Sequence, residues 1–381
     1  MKEFETWFQG QSDQYLKDLE TLVNIDSGSR HQEGVRQVLT WLEQFFKERN
    51  ILCERHYHGE TWAALSASVG EATSREQNIL LLGHCDTVFP LGEAVRRPFK
   101  VKDGIGYGPG VADMKAGVLM NAYLLHGWQL IGRKDMAMTG LFTSDEEIAS
   151  PRSAEAVAAF STRSAYVFNS EPGRPNGNVV IGRRGGMFFG LEIKGRAAHA
   201  GNNFYEGISA ISSLADKIRK IDRLTSREDD VTASVGLISG GVSVNTVAPH
   251  ASAEIDLRVP DMALRDRYYK LIGDICSNNP SGETSSLTLK GEFKSFVQSD
   301  ASKVLAEMYL STSVKQGLIV QGQYTGGCSD AGIASTCGAA VICAVGPTGG
   351  GYHTEDEYVD LGSVAPKAAI LFNTMKQLGK S

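Results

Sequence analysis

Apolar positions three and four apart over residues 13–23 and 34–46 predict two amphipathic helices near the N-terminus. Shorter apolar runs at 51–56, 62–67 and 79–83 predict strands. A glycine-rich turn, Gly104-Ile105-Gly106-Tyr107-Gly108-Pro109-Gly110, then leads into a predicted helix at 116–131 and a strand at 137–143. Strands alternating with helices predict an α/β fold, a mainly parallel sheet sandwiched by helices.

Between residues 185 and 292 the rhythm changes. A strand at 187–194 and a helix at 206–221 precede two paired strands, 231–239 and 251–259. A helix at 264–277 and a strand at 284–291 close the block. Strand-helix-strand-strand-helix-strand is the plan of a small α+β ferredoxin-like domain. Patterns of the first kind resume at 301–309, 340–344 and 362–378. The expected organisation is therefore a discontinuous domain, 1–184 with 293–381, interrupted by an inserted one at 185–292. A chain of 381 residues is long enough to divide in this way.

The formal charge of −6 leaves no basic footprint for nucleic acid or an anionic membrane surface. No apolar run approaches the roughly 20 residues of a membrane span. The start, Met1-Lys2-Glu3-Phe4-Glu5, is acidic and mixed, unlike a secretory signal, so the expected location is cytoplasmic. Six cysteines at no metal-knuckle spacing read as reduced thiols.

Chemistry concentrates where apolar runs end. Leu81-Leu82-Gly83 closes on His84-Cys85-Asp86, and similar runs or turns close on Asp113, Glu146-Glu147, Glu171 and His353. Strand ends on one rim are where α/β scaffolds assemble sites. His84 and Asp86 share a strand face, so His84 reads as a metal ligand and Asp86 as the carboxylate that orients its imidazole. Asp113 before a helix is either an N-cap or a carboxylate bridging two metals. Adjacent Glu146 and Glu147 repel each other unless cations lie between them, and one can bind metal while the other moves protons. Taken singly each residue has a plain reading, a rim histidine or a solvated acidic turn. Together they read as a two-metal hydrolase. The Gly106-x-Gly108-x-Gly110 cluster lacks the Lys-Ser/Thr or ribose-binding acid of a nucleotide site.

The segments Gly83-His84-Cys85-Asp86-Thr87-Val88, Gly110-Val111-Ala112-Asp113-Met114-Lys115, Asp145-Glu146-Glu147, Ser170-Glu171-Pro172, and His353 with Glu355 resemble the motifs of the di-zinc aminoacylase/carboxypeptidase family. That family includes glutamate carboxypeptidase, aminoacylase, acetylornithine deacetylase and succinyl-diaminopimelate desuccinylase. The resemblance implies a zinc-exopeptidase-like catalytic domain and an inserted lid, through which two copies pair as a homodimer. It implies one metal on His84, Asp113 and Glu171 and another on Asp113, Glu147 and His353, with Asp113 bridging. Zinc is the metal implied, with cobalt or manganese also suited to these ligands. Glu146 is then the general base, and a cis peptide joins Asp113 to Met114. His199, in Gly195-Arg196-Ala197-Ala198-His199, is implied as an oxyanion stabiliser reaching the partner subunit's site. Asn245, Arg258 and Gly327 are implied in substrate binding, with Arg258 on a carboxylate; a strand-end surface charge is its plain alternative. Cys85 is expected to point away from the metals, and Cys328 to lie close enough to the pocket for thiol reagents.

The implied activity is metal-dependent hydrolysis of a peptide or N-acyl amide next to a free carboxylate, nearest to a glutamate carboxypeptidase. An aminoacylase, or an acetylornithine- or succinyl-diaminopimelate-type deacylase, is the alternative. A non-catalytic metal-binding relative would lack Glu146 or a ligand, and none is missing.

Overall fold

The computed structural model describes residues 2–379. The chain divides into two compact units. The first comprises Met1–Gly182, Gln298–Thr325 and Ser329–Ser381, the second Arg183–Val297 with Gly326–Cys328.

An eight-stranded sheet organises the first unit. Its spatial order is Leu52–His58, Thr61–Val69, Ala137–Thr143, Asn78–His84, Tyr166–Asn169, Ala340–Cys343, Val179–Arg183 and Gly322–Thr325. Pairing at the centre is parallel, where Asn78–His84 lies between Ala137–Thr143 and Tyr166–Asn169, and the latter pairs with Ala340–Cys343. Outside that core the pairings of Leu52–His58 with Thr61–Val69, and of Thr61–Val69 with Ala137–Thr143, are antiparallel. The α/β architecture expected from sequence is present, and its large sheet is mixed.

The central strands are apolar because both their faces are covered. Every residue of Asn78–His84 and of Ala137–Thr143 is buried. The helix Ala116–Ile131 is buried on nearly all sides, so its apolar residues follow no single stripe. Each large side chain enclosed in this way, such as Leu81, Phe142 or Leu124, contributes roughly 1.5–3 kcal/mol of transfer free energy. Gly117 shows how closely the parts approach. A Cβ there would stand 2.1 Å from the Ser170 carbonyl oxygen, so helix and strand-end loop meet backbone to backbone.

Parallel register fixes where the chemistry lies. His84 pairs with Thr143, Leu82 with Asn169, and Cys343 with Asn169. The carboxyl ends of four strands therefore share one rim, and His84, Asp145-Glu146-Glu147, Glu171 and the His353 loop all follow from it. A second, four-stranded sheet orders Gly349–Gly350, Tyr358–Asp360, Ile105–Tyr107 and Lys100–Lys102. Tyr358 pairs with Tyr107, which brings the loop of His353 beside the loop of Asp113.

The second unit is a four-stranded antiparallel sheet in the order Thr232–Gly240, His250–Val259, Gly185–Lys194, Thr284–Phe293. Burial alternates along Gly185–Lys194 and His250–Val259, as period-two side-chain direction requires of a sheet with one covered face. Met187, Phe189, Leu191 and Ile193 form that face with Ile255 and Leu257, and helices Ala210–Asp222 and Met262–Ser277 contribute Leu214, Ile221, Tyr268 and Ile272. Ser209 and Asp261 cap the two helices by accepting from the backbone N–H of Ser212 and Leu264. Element order and strand order are those of a ferredoxin-like domain. The first helix starts at Ala210, later than the sequence pattern suggested, because the Phe204–Glu206 turn and the Ser209 cap precede it.

Candidate metal centre

His84 ends its strand fully buried, with Nδ1 donating to the Asp86 backbone oxygen at 3.0 Å. That bond fixes Nδ1 as a donor and aims Nε2 at the carboxylates. Nε2 lies 3.2 Å from Asp113 Oδ1 and 3.8 Å from both Glu146 Oε2 and Glu171 Oε1. On the other side of Asp113, His353 Nε2 lies 3.4 Å from Asp113 Oδ2 and 3.4 Å from Glu147 Oε2. Six of the residues singled out from sequence thus converge. Ligand atoms of His84, Glu146 and Glu171 lie within 4.8 Å of one another, as do those of His84, Asp113 and Glu147.

The electrostatics of this cluster call for cations. Four largely buried carboxylates face the buried imidazole of His84 and the half-exposed imidazole of His353. Burial first, then neighbouring carboxylates, pushes Glu146 and Glu147 well above the ordinary glutamate range. Burial works to lower the His84 pKa, yet Glu146 and hydrogen bonds to Asp113 and Asp86 carry it well above its usual value. Burial opposes ionisation of Asp113, but the bonds from His353 and His84 hold it below the carboxylate range. Glu147 Oε1 is buried with no hydrogen-bond partner, an acceptor without a donor. Divalent ions would satisfy that oxygen and balance the charge, and mixed imidazole and carboxylate donors suit such ions.

The supporting contacts explain how the chain holds this arrangement. Asp86 is fully buried and accepts from the N–H of Glu146 and Glu147 at 3.0 and 3.1 Å, and from Ser29 at 2.6 Å. Its carboxylate comes no nearer than 3.4 Å to His84 Nδ1, so its main contacts fix the glutamate turn. That turn, Glu146–Ile148, ends in Ala149 and Ser150, both left-handed at φ 68° and 54°. Asp145 anchors its base through the N–H and Nε of Arg152 and the hydroxyl of Ser153. His353 is itself left-handed at φ 61°, uncommon for a non-glycine residue and a mark of a constrained functional position. The Asp113–Met114 bond is cis. Asp113 has non-helical φ and ψ and makes no capping bond, so the N-cap reading does not apply.

One residue of this centre escaped the sequence reading. Glu355, expected to accompany His353, is exposed and pairs with Arg96 at 2.6 Å. The buried carboxylate is Glu357, whose Oε1 accepts from the N–H of Ala112 and Asp113 at 2.9 Å and Oε2 from Gly110 at 3.0 Å. It holds the turn that presents Asp113, although burial lifts its pKa to about 7. A conspicuous Glu-Asp-Glu run gave no signal for which carboxylate turns inward. Glu357→Gln is expected to lower metal affinity about 10- to 100-fold, because its amide N–H₂ opposes a backbone donor. Metal titration by calorimetry checks this, with Glu357→Asp as the partial rescue.

The remaining candidates lie in the second unit. His199 is exposed, and its Nδ1 accepts from the N–H of Gly201 and Asn202 at 3.1 and 3.2 Å, which places its proton on Nε2. Asn245 is exposed, accepts from Ser243 through Oδ1, and its carbonyl accepts from the Ala200 N–H. Arg258 is no free surface charge. It forms a two-pronged pair with Asp256 at 2.7 and 2.8 Å, approaches Cys328 Sγ at 2.8 Å and lies over the Phe188 ring. The Gly327 carbonyl accepts from Arg183. Burial raises the Cys328 thiol pKa against the pull of Arg258, and Cys85 is wholly buried with its thiol pushed up. No two of the six cysteines are joined in a disulfide.

Residues 80–377 match peptidase family M20/M25/M40. The chain belongs to that family. Among its relatives, carboxypeptidase G2 of Pseudomonas sp. (strain RS-16) is 27% identical over 98% of this chain and 92% of its own length. Succinyl-diaminopimelate desuccinylase of Wolbachia pipientis subsp. Culex pipiens (strain wPip) is 28% identical over 53% of this chain and 55% of that protein. The fold matches an M20 family metallo-carboxypeptidase from Sulfolobus solfataricus at a TM-score of 0.75 and 15% identity, over 96% of this chain and 98% of the other. This M20 member is accordingly a metal-dependent hydrolase of the exopeptidase and deacylase kind. Among the described residues no helix is long and apolar enough to cross a membrane.

Proposed function

We propose that this M20 hydrolase is a di-zinc exopeptidase that cleaves the amide beside a free carboxylate, releasing a C-terminal amino acid. The near-full-length likeness to a carboxypeptidase carries that choice. His84, Asp113 and Glu171 would hold one metal and Asp113, Glu147 and His353 the other. Bound there, the ions supply positive charge that acidifies water and polarises a carbonyl.

The chain's own residues then divide the work. Glu146 sits 3.8 Å from His84 Nε2 and takes a proton from water, then delivers it to the leaving nitrogen. Asp86 keeps Glu146 and Glu147 on one tight turn so that their carboxylates take different tasks. His199, with its proton on Nε2, reaches the partner subunit's centre in the proposed dimer and donates to the oxyanion there, and Arg258, Asn245 and Gly327 bind the substrate, with Arg258 on its carboxylate. His199→Ala is expected to lower kcat about 10²–10³-fold without loss of metal, measured by steady-state kinetics beside elemental analysis.

A homodimer is the proposed assembly. Thr232–Gly240 is an edge strand whose Leu237 and Ile238 are mostly exposed, a surface suited to isologous pairing. A deacylase is the second reading, favoured by desuccinylase relatives matched over half the chain.

Mass-spectrometric turnover of dipeptides, glutamate-terminated amides and N-acyl amino acids separates these readings. Chelator-sensitive release of a C-terminal amino acid from peptides is the expected result. Exclusive cleavage of small N-acyl groups would establish the deacylase instead.

A further inference from the structure

A cavity of about 800 Å³ lies on the rim of the large sheet within the first unit, displaced from the metal centre toward the sheet's edge. Ala64 pairs with Thr143 and Trp62 with Tyr57, so the ends of three neighbouring strands meet at Ser144, Trp62 and Tyr57. The first turns of helix Gln32–Glu48 close the other side with Val35 and Arg36. None of the six residues that converge on the metal centre lines this cavity. Its volume is within the usual range for a small-molecule site.

Two arginines of its wall are held from behind. Arg55 donates from Nε and Nη2 to Glu43 at 2.9 and 2.5 Å, and its guanidinium lies 4.4 Å over the Trp62 ring. Arg152 donates from its backbone N–H and Nε to Asp145 at 2.7 and 3.1 Å. Glu43 and Asp145 are buried and neither lines the cavity. Asp145 engages only Nε of the Arg152 guanidinium, so among the described residues its two terminal nitrogens remain for a ligand. Ser144, beside it, is 3% exposed, and its Oγ is buried with no hydrogen-bond partner, a vacancy that a ligand oxygen would fill. Groups fixed in this way lose little entropy when a ligand arrives.

We propose that this cavity is a second binding site, separate from the metal centre, for a small organic carboxylate with an aromatic or branched body. Arg152 and Ser144 take the carboxylate, and Trp62 with Val35 covers the body. A planar guanidinium with two free terminal nitrogens matches the two oxygens of a carboxylate. The charge balance selects a monoanion over a phosphate. Glu43 and Asp145 already offset Arg55 and Arg152, Glu33 offsets Arg36, and Glu60 adds a further negative charge to the wall. A second negative charge on the ligand would meet repulsion that one does not. The indole of Trp62 supplies the apolar contact that a bare inorganic ion cannot use.

Fluorine NMR of the zinc-loaded full chain carrying 5-fluorotryptophan tests this, because the chain has four tryptophans and only Trp62 lines the cavity. Trp62→Phe identifies its signal, and Trp128, 1% exposed and outside the cavity, is the internal reference. Phenylacetate is the probe, since it has no amide to cleave. It is expected to move the Trp62 signal saturably, with a dissociation constant of about 1 mM or tighter, and to leave Trp128 in place. Inorganic phosphate at the same concentration should leave Trp62 unmoved. Arg152→Lys, which loses the fork, is expected to weaken phenylacetate about tenfold. Arg36→Glu, at an exposed position that folding tolerates, is expected to weaken it about fivefold. Lys303→Glu, an equal charge change on an exposed helix position outside the cavity, should change nothing. A Trp62 signal that does not saturate by about 10 mM overturns the site. So do unchanged affinity in both cavity variants and an equal loss in Lys303→Glu. Tighter binding of phosphate than of phenylacetate overturns the ligand class.

Discussion

Glu146→Gln is expected to lower kcat by about 10²–10⁴ while leaving bound metal unchanged. The substitution keeps the shape of the side chain while removing its charge and its capacity to accept a proton. Glu146 is 6% exposed, on a turn whose N–H is held by Asp86, so packing gives no reason for the variant to collapse. Two physical effects set the residue's competence. Burial and the nearby carboxylates raise its pKa, which strengthens it as a base, and a cation in the centre would draw it back toward the working range. The prediction also separates two roles that the geometry places side by side, because Glu146 stands with His84 and Glu171 in a group able to hold a metal. Loss of an ion in Glu146→Gln would make it a ligand. Retention of more than a tenth of kcat with both ions bound would remove it from proton transfer. Paired kinetics and elemental analysis on one preparation give both answers.

How far the sequence carries can be argued from particular elements. The strands at 79–83 and 137–143 are legible because full burial makes them continuous apolar runs, and those runs end where the ligands begin. The central strands of the second unit, Gly185–Lys194 and His250–Val259, are legible because each has one covered face, which prints its period on the sequence. Peripheral elements have no such print. Gly322–Thr325 is a four-residue strand of mixed polarity at the sheet edge, and Val179–Arg183 is nearly as short. Lys2–Gln9 folds as a helix through aromatic contacts such as Phe4 stacked on Phe372, a partner far along the chain. The antiparallel flanks of the large sheet are invisible for a similar reason, since pairing direction depends on connections rather than on any strand's composition.

The same distinction governs the site. His84, Asp113, Glu146, Glu147, Glu171 and His353 could be singled out because each closes an apolar run or a glycine-rich turn. Glu357 could not, because its role depends on three backbone donors contributed by Gly110, Ala112 and Asp113, more than 240 positions away. The small sheet pairing Tyr358 with Tyr107 makes that encounter possible, and its three-residue strands lie below what pattern reading detects. Ligand types are local information. The carboxylate that aims a ligand is tertiary information.

Asp113→Asn is expected to reduce bound metal from two ions per chain to one or none, and kcat by about 10³-fold or more, equivalent to ~4 kcal/mol of lost stabilisation. The two oxygens of Asp113 face different imidazoles, Oδ1 toward His84 and Oδ2 toward His353, so one carboxylate serves both halves of the centre. An amide retains one acceptor, turns the other into a donor and cancels the charge. The fold should survive, because the turn is held by Glu357 through backbone N–H groups and not through the Asp113 side chain. Circular dichroism of the metal-free variant should therefore match the parent. Metal addition should divide the two proteins. At an ion concentration 1,000 times the dissociation constant, the parent gains ~4 kcal/mol for each ion that binds only the folded chain, read as a rise in Tm. The variant should show little or no rise. Two ions retained, with an undiminished rise in Tm, would mean that Asp113 does not bridge and that each ion is held by its own histidine and glutamate alone.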